Sequence, residues 1–170
     1  TQCKLLEEEF GLVHLSAGEL LRNERSSGSA DGELIESYLC EGKIVPVKIS
    51  LGLLKREMKK HSATYIIDGF PRNQDNLDGW HQLMHSFATV DAVLYFDIPT
   101  EIMIDRMLTR GETSGRSDDN IAAAKKRIHT FKESTLPILD YFQSHPDIKL
   151  CTISGLGSIE DVWNRTKTAI

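Results

Sequence analysis

Tyr65-Ile66-Ile67-Asp68-Gly69-Phe70-Pro71-Arg72-Asn73-Gln74-Asp75-Asn76 is the stretch that decides the fold. The apolar run 65–67 reads as a buried strand. Asp68 closes it and Gly-Phe-Pro-Arg follows. A carboxylate and a guanidinium therefore stand at the carboxyl end of a strand, where open α/β folds bind their ligands. Gly-Phe-Pro-Arg alone could be an ordinary turn, but the nine residues 68–76 are far more specific.

Outward from this stretch the chain alternates between the two periodicities. Before it, 1–10 reads as a helix ended by Gly11, and 13–15 as a short strand. Ser16 is placed to cap a helix over 17–25. The composition of 26–32 makes a loop. Leu34, Ile35, Tyr38 and Leu39 give a helical face, and Pro46 opens a helix carrying Ile49, Leu53, Leu54 and Met58. After it come a helix near 77–87 and a nearly all-apolar strand at 90–96, as burial on both faces of a parallel sheet requires. Pro99 opens a helix with Ile102, Ile104, Met107 and Leu108. A polar loop at 111–120, helices at 121–132 and 135–143, a strand at 148–153 and a helix at 158–168 complete the pattern. Strands alternating with helices predict a parallel α/β sheet.

The 170 residues are most simply one domain, long enough to bury a core without staples. Net charge is −5, from 20 basic and 25 acidic residues, which argues against a general nucleic-acid coating role. Phosphate ligands remain compatible, because local arginines can outweigh the global sign. Cys3, Cys40 and Cys151 are far apart and odd in number, so reduced thiols are expected rather than a disulfide framework. No stretch approaches the ~18 apolar residues of a membrane span.

The arginines carry the chemistry. Arg22 follows Leu15-Ser16-Ala17-Gly18-Glu19-Leu20-Leu21, and Arg72 sits in the Gly-Phe-Pro-Arg loop. Arg110 and Arg116 flank Gly-Glu-Thr-Ser-Gly, and Arg127 lies on the helix beyond. A guanidinium fork suits phosphate, and phosphoryl transfer between two anions needs several such forks. Any one alone could be a surface salt bridge. The glycines of the polar loop permit a lid that closes and excludes water. Asp118-Asp119-Asn120 would cap the helix after it.

Four segments resemble the nucleoside monophosphate kinases, and within them the UMP-CMP kinase branch. They are 16–22, Glu41-Gly42-Lys43-Ile44-Val45-Pro46-Val47, 68–76, and Ser114-Gly115-Arg116-Ser117-Asp118-Asp119-Asn120. The similarity spans nearly the whole chain. It implies a three-layer P-loop NTPase-type parallel sheet flanked by helices. A helical arm for the acceptor nucleotide would cover about 16–46 and extend to about 60, with a short lid at about 110–118. It implies transfer of the ATP γ-phosphate to CMP or UMP, dCMP included, with Mg²⁺, by a monomer of the cytoplasm and also the nucleus. ATP, CMP and UMP are then the partners, with no nucleic acid and no membrane.

The resemblance also implies roles. Arg22, Arg72, Arg116 and Arg127 match positions that hold the acceptor phosphate and the transferring group. Arg110 matches a donor-phosphate position, and Arg106 the arginine that stacks on the donor adenine (alternatively a helix-surface charge). Lys43, Ile44 and Val45 line the acceptor base and sugar, with Gly69, Phe70 and Pro71 of the loop. Asn76 matches the position that reads the base edge. Adenylate kinases carry Gln there and Thr at the position of Ala17, so Ala17 and Asn76 point to a pyrimidine, whose edge an amide can pair. Asp68 matches the acid that organises the Mg²⁺ waters, with no direct metal ligand expected. Gly157 falls near the donor adenine, and Thr1 beside the donor phosphates.

One feature of that family is absent from the 170 residues: the phosphate loop Gly-x-Pro-Gly-x-Gly-Lys-Gly and the strand leading into it. A start upstream of Thr1 is therefore expected, and a chain truly beginning there would be unstable and inactive. The alternatives are an adenylate kinase, or a fragment that binds nucleotide without catalysis. The six histidines show no metal spacing joined to acids or cysteines. His81 and His85, four apart, read as a solvated helix face.

Overall fold

The computed structural model describes residues 1–114 and 120–170. Most helices begin or end where the sequence supplies a local signal. Helix α1 (Gln2–Phe10) stops at Gly11, whose φ of 65° is left-handed. Strand β1 (Val13–Ser16) runs straight into α2 (Ala17–Ser26), with the Ser16 side chain accepting from the Glu19 N–H. Helices α3 (Gly32–Cys40) and α4 (Val47–Met58) follow, then strand β2 (Tyr65–Asp68). Helix α5 (Gln74–Leu83) starts earlier than its apolar pattern predicts, because the Asn73 side chain caps it by accepting from Asn76 N–H. Strand β3 (Ala92–Asp97) precedes α6 (Thr100–Ser114). Helix α7 (Ile121–Thr130) is capped by Asn120, and α8 spans Pro137–Ser144. Strand β4 (Lys149–Ser154) leads to α9 (Ile159–Ala169), which opens with a Ser158–Asp161 capping box.

The strands are parallel, as expected, but among the described residues they form two pairs rather than one sheet. β1 lies beside β2 with Ser16 opposite Asp68, and β3 beside β4 with Asp97 opposite Ser154. Each strand thus has a neighbour on one edge only, and the side chains of β3 are half-buried rather than enclosed on both faces. The β1–β2 register matters for function: it sets the start of α2 next to the start of the Gly-Phe-Pro-Arg loop.

Two predicted loop segments differ among the described residues. Helix α6 continues through Ser114, so Arg110 and Gly111, expected at a lid entrance, are helical. Residues 115–119, with Arg116, Asp118 and Asp119, lie outside the described part. The predicted gap between the helices near 133–134 is a π-helical turn, Phe131–Thr135, that joins α7 to α8. Leu136 N–H donates to Phe131 C=O at 2.9 Å, five residues back. Pro137 accounts for it physically. It has no N–H for the Glu133 carbonyl and its ring would clash there in a tight helix; a wider turn relieves both.

Three apolar clusters support these elements. Leu15, Leu51, Leu54, Met58 and Met84 join β1 to α4 and the end of α5. Leu21, Ile35, Val45 and Leu53 knit α2, α3 and α4 together. Leu77, Ile138 and Phe142 fix α5 to α8. No helix among the described residues is long and apolar enough to cross a membrane. Leu54 is fully buried. Leu54→Ala is expected to destabilise the fold by about 2–5 kcal/mol, through lost transfer energy and a residual cavity. Urea unfolding would measure it as a lower midpoint.

Candidate active site

A narrow crevice opens where β1 and β2 end. It is lined by Ala17 and Leu21 of α2, Leu39 of α3, Lys43, Ile44 and Val45 of the following loop, Ser50 of α4, and Gly69, Phe70, Arg72 and Asn76. Its volume is about 20 Å³, room for about one water. The structure thus brings together Ala17, Lys43, Ile44, Val45, Gly69, Phe70, Arg72 and Asn76, which the sequence placed at an acceptor site from three separate segments. Leu21, Leu39 and Ser50 line it too. The sequence reading missed them as site residues, because they come from three different helices that only tertiary packing brings together.

The loop after β2 is built around Arg72. Its backbone N–H donates to Asn76 Oδ1 at 3.1 Å, and its Nε donates to the Gly69 carbonyl at 2.6 Å. The Phe70–Pro71 peptide is cis. Gly69 suits the position because its φ is +75°, and a Cβ there would stand 2.6 Å from Arg72 Nη2 and displace the guanidinium. Asn76 is 2% exposed. Because Arg72 N–H is a donor, the Asn76 amide must turn Oδ1 toward it. That leaves Nδ2, which is buried and makes no hydrogen bond to the protein. Asn76 therefore offers the crevice a donor, not a donor–acceptor pair. It is not the helix-capping residue, since Asn73 fills that role.

Other arginines approach from different elements. The Arg22 guanidinium folds over Gly18, 3.3 Å from where a Cβ would stand. Arg127, on α7, has its Cγ 3.5 Å from the corresponding point at Gly42. Pro71 is half-buried in the loop, and Lys43 pairs with Glu41 at the surface. On the other strand pair, Arg106 donates to the carbonyls of Gly155 at 2.9 Å and Gly157 at 3.3 Å. Arg106 and Gly157, both expected near a donor base, are thus in contact across β4 and its loop, and Arg106 is more than a helix-surface charge. Arg110 sits one turn further along α6, and Thr1 is exposed at the start of α1.

Asp68 ends β2 with its side chain half exposed. His14 Nε2 lies 3.8 Å from Asp68 Oδ2 and is buried without a hydrogen bond. Cys3, His14 and Asp68 place one ligand atom each within 4.8 Å of one another. The sequence shows no metal spacing that joins a histidine to acids or cysteines, and this proximity arises only in three dimensions. The residues come from α1, β1 and β2, so no sequence spacing could reveal them. His81 is not merely solvated either: its Nε2 lies 2.9 Å from the Tyr141 hydroxyl. Burial, reinforced by the Asp68 charge, pushes the Cys3 thiol up to about 11.

Residues 1–146 match the adenylate kinase family model. The chain belongs to that family of nucleoside monophosphate phosphotransferases, whose fold is of the P-loop NTPase class. It is similar to the UMP-CMP kinases of Rattus norvegicus (51% identical), Mus musculus (50%) and Homo sapiens (49%). Each alignment covers 96% of this chain and 86% of the relative.

A thiol at about 11 is protonated at pH 8, whereas Cys40 is exposed. Timed alkylation at pH 8 with peptide mass spectrometry is expected to label Cys40 well before Cys3. Equal rates would contradict the buried placement of Cys3.

Proposed function

We propose that the protein transfers the γ-phosphate of ATP to CMP or UMP, dCMP included, giving ADP and the pyrimidine diphosphate. The observation that carries this reading is Asn76, buried at the crevice with a free donor and its oxygen committed to Arg72. Cytosine and uracil both present ring-edge acceptors to such a donor. Ala17 beside it, buried and small, fits the same reading, as do the names of the relatives.

In this account the arm formed by residues 16–60 opens to admit the acceptor, since the crevice now holds only about a water. Lys43, Ile44 and Val45 line the base and sugar. Arg22, Arg72 and Arg127, with Arg116, hold the acceptor phosphate and stabilise charge on the transferring group. Arg110 serves the donor phosphates, with Thr1 nearby. Arg106 and Gly157 border the donor base, Arg106 by holding the loop carbonyls. The acceptor phosphate oxygen attacks the γ-phosphorus in line as the bond to the β-phosphate oxygen breaks, so no covalent enzyme intermediate is needed.

The residues fit Mg²⁺ through one group only. The half-exposed Asp68 carboxylate suits a hydrated Mg²⁺, while the neighbouring Cys3 thiol and His14 imidazole are softer than that ion prefers. When bound, Mg²⁺ neutralises phosphate charge. Cys3, Cys40 and Cys151 form no disulfide, which suits a reducing compartment such as the cytoplasm or nucleus.

Arg72→Ala is expected to abolish CMP-dependent ADP formation, and near-normal turnover would sink the assigned role. Asn76→Asp keeps an acceptor for Arg72 N–H but replaces the free donor with an oxygen. It is expected to weaken CMP binding by about 10-fold or more, the size of one lost buried hydrogen bond, while folding normally. Unchanged CMP affinity by calorimetry would remove Asn76 from base recognition.

A further inference from the structure

Thr135 closes the π-helical turn, and its Oγ1 donates to the Arg72 carbonyl at 2.7 Å, across 63 residues of chain. We propose that Thr135 is a positioning residue for phosphoryl transfer, holding the Arg72 backbone from the helix that also carries Arg127. This rests on the reading above, in which Arg72 grips the acceptor phosphate.

The Arg72 N–H donates to Asn76 Oδ1 in the first turn of α5, and the guanidinium Nε donates back to the Gly69 carbonyl. Those ties hold Arg72 to its own loop and to the α5 that directly follows it. Thr135 adds a tie from an element distant in sequence, the turn that continues the helix of Arg127. A threonine hydroxyl has one proton, and that of Thr135 goes to Arg72.

The same segment reaches the arm. Thr130 Oγ1 lies 3.1 Å from the Gly42 carbonyl and 3.0 Å from Lys126 O in its own helix. One proton serves these two acceptors, so the tie to the arm can be exchanged for one inside α7 when the arm moves. Gly42 lies against α7 independently of that bond: its φ is +67°, and a Cβ there would stand 3.1 Å from Lys126 Cβ. Thr130 is therefore an exchangeable contact and Thr135 a fixed one.

The π turn explains how one helix serves both loops. In an unbroken α-helix, residues five apart point about 140° away from each other. The i→i+5 turn brings such residues toward one face, and turns of this kind recur at functional sites. Thr130 and Thr135 are five apart, Thr130 just before it and Thr135 its last residue. Arg127, three residues before Thr130, is thereby registered against the Arg72 loop and the arm together.

The test is Thr135→Val and Thr135→Ser in the full-length protein, read as steady-state kinetics and as CMP binding by calorimetry. Thr135→Val is expected to lower kcat/KM for CMP by about 10- to 100-fold, the scale of a small misplacement of a reacting group. KM for ATP should change little, and Thr135→Ser should rescue. In an Arg72→Ala background, Thr135→Val should add no further loss of CMP affinity. Parental behaviour of Thr135→Val would overturn the proposal, as would an equal affinity loss with and without Arg72. If Thr135→Val melts early, Thr135→Ala against Thr135→Ser decides the same point: equal kinetics would overturn it. A parent protein that binds no CMP would overturn the functional reading as well, and so separates the two failures.

Discussion

The Arg72 peptide is the constraint on which the site depends. Its N–H is held by a side chain from the first turn of α5, and its carbonyl by a side chain from the end of the π turn. Its own guanidinium folds back on Gly69. A charged fork can serve phosphate repeatedly only if its backbone does not drift, because the catalysis this family performs is mostly positioning. The parallel register of β1 and β2 then brings the start of α2 to the same place, and the apolar contacts of Leu21, Ile35, Val45 and Leu53 carry the arm as one body.

The same hydrogen bond that fixes Arg72 decides what Asn76 can offer. An unconstrained amide presents both a donor and an acceptor. Here the acceptor is spent inside the protein, and a single donor is left in a place too buried for bulk water. Such a group costs stability until a ligand satisfies it. In the proposed function, base recognition and phosphate grip become parts of one network, joined through the Arg72 N–H.

Much of this was legible in the sequence where the interactions are local. Ser16 and Asn120 lie three residues before the N–H groups they accept from, a spacing that can be read directly, whereas Asn73 caps at the same spacing but the apolar pattern of α5 points to a later start. The strand ending in Asp68 and its loop could be placed for the same reason. What could not be read depends on tertiary packing. Thr135 meets Arg72 and Thr130 meets Gly42 across 63 and 88 residues, and neither threonine carries a motif of its own. The proximity of Cys3, His14 and Asp68 arises only when α1, β1 and β2 are packed. The helical pattern places a gap between 132 and 135, where the structure has the π turn Phe131–Thr135, since so short a turn leaves no periodic signature of its own. The apolar composition of β3 suggested enclosure on both faces, whereas its burial follows from having one strand neighbour.

The central claim is that this crevice takes a pyrimidine monophosphate. The measurement that tests it most directly is ADP formation from ATP with CMP, UMP and AMP as competing acceptors, each compared by kcat/KM. The account predicts turnover with CMP or UMP well above that with AMP. A preference for AMP would contradict it and make Asn76 and Ala17 poor guides to the acceptor base.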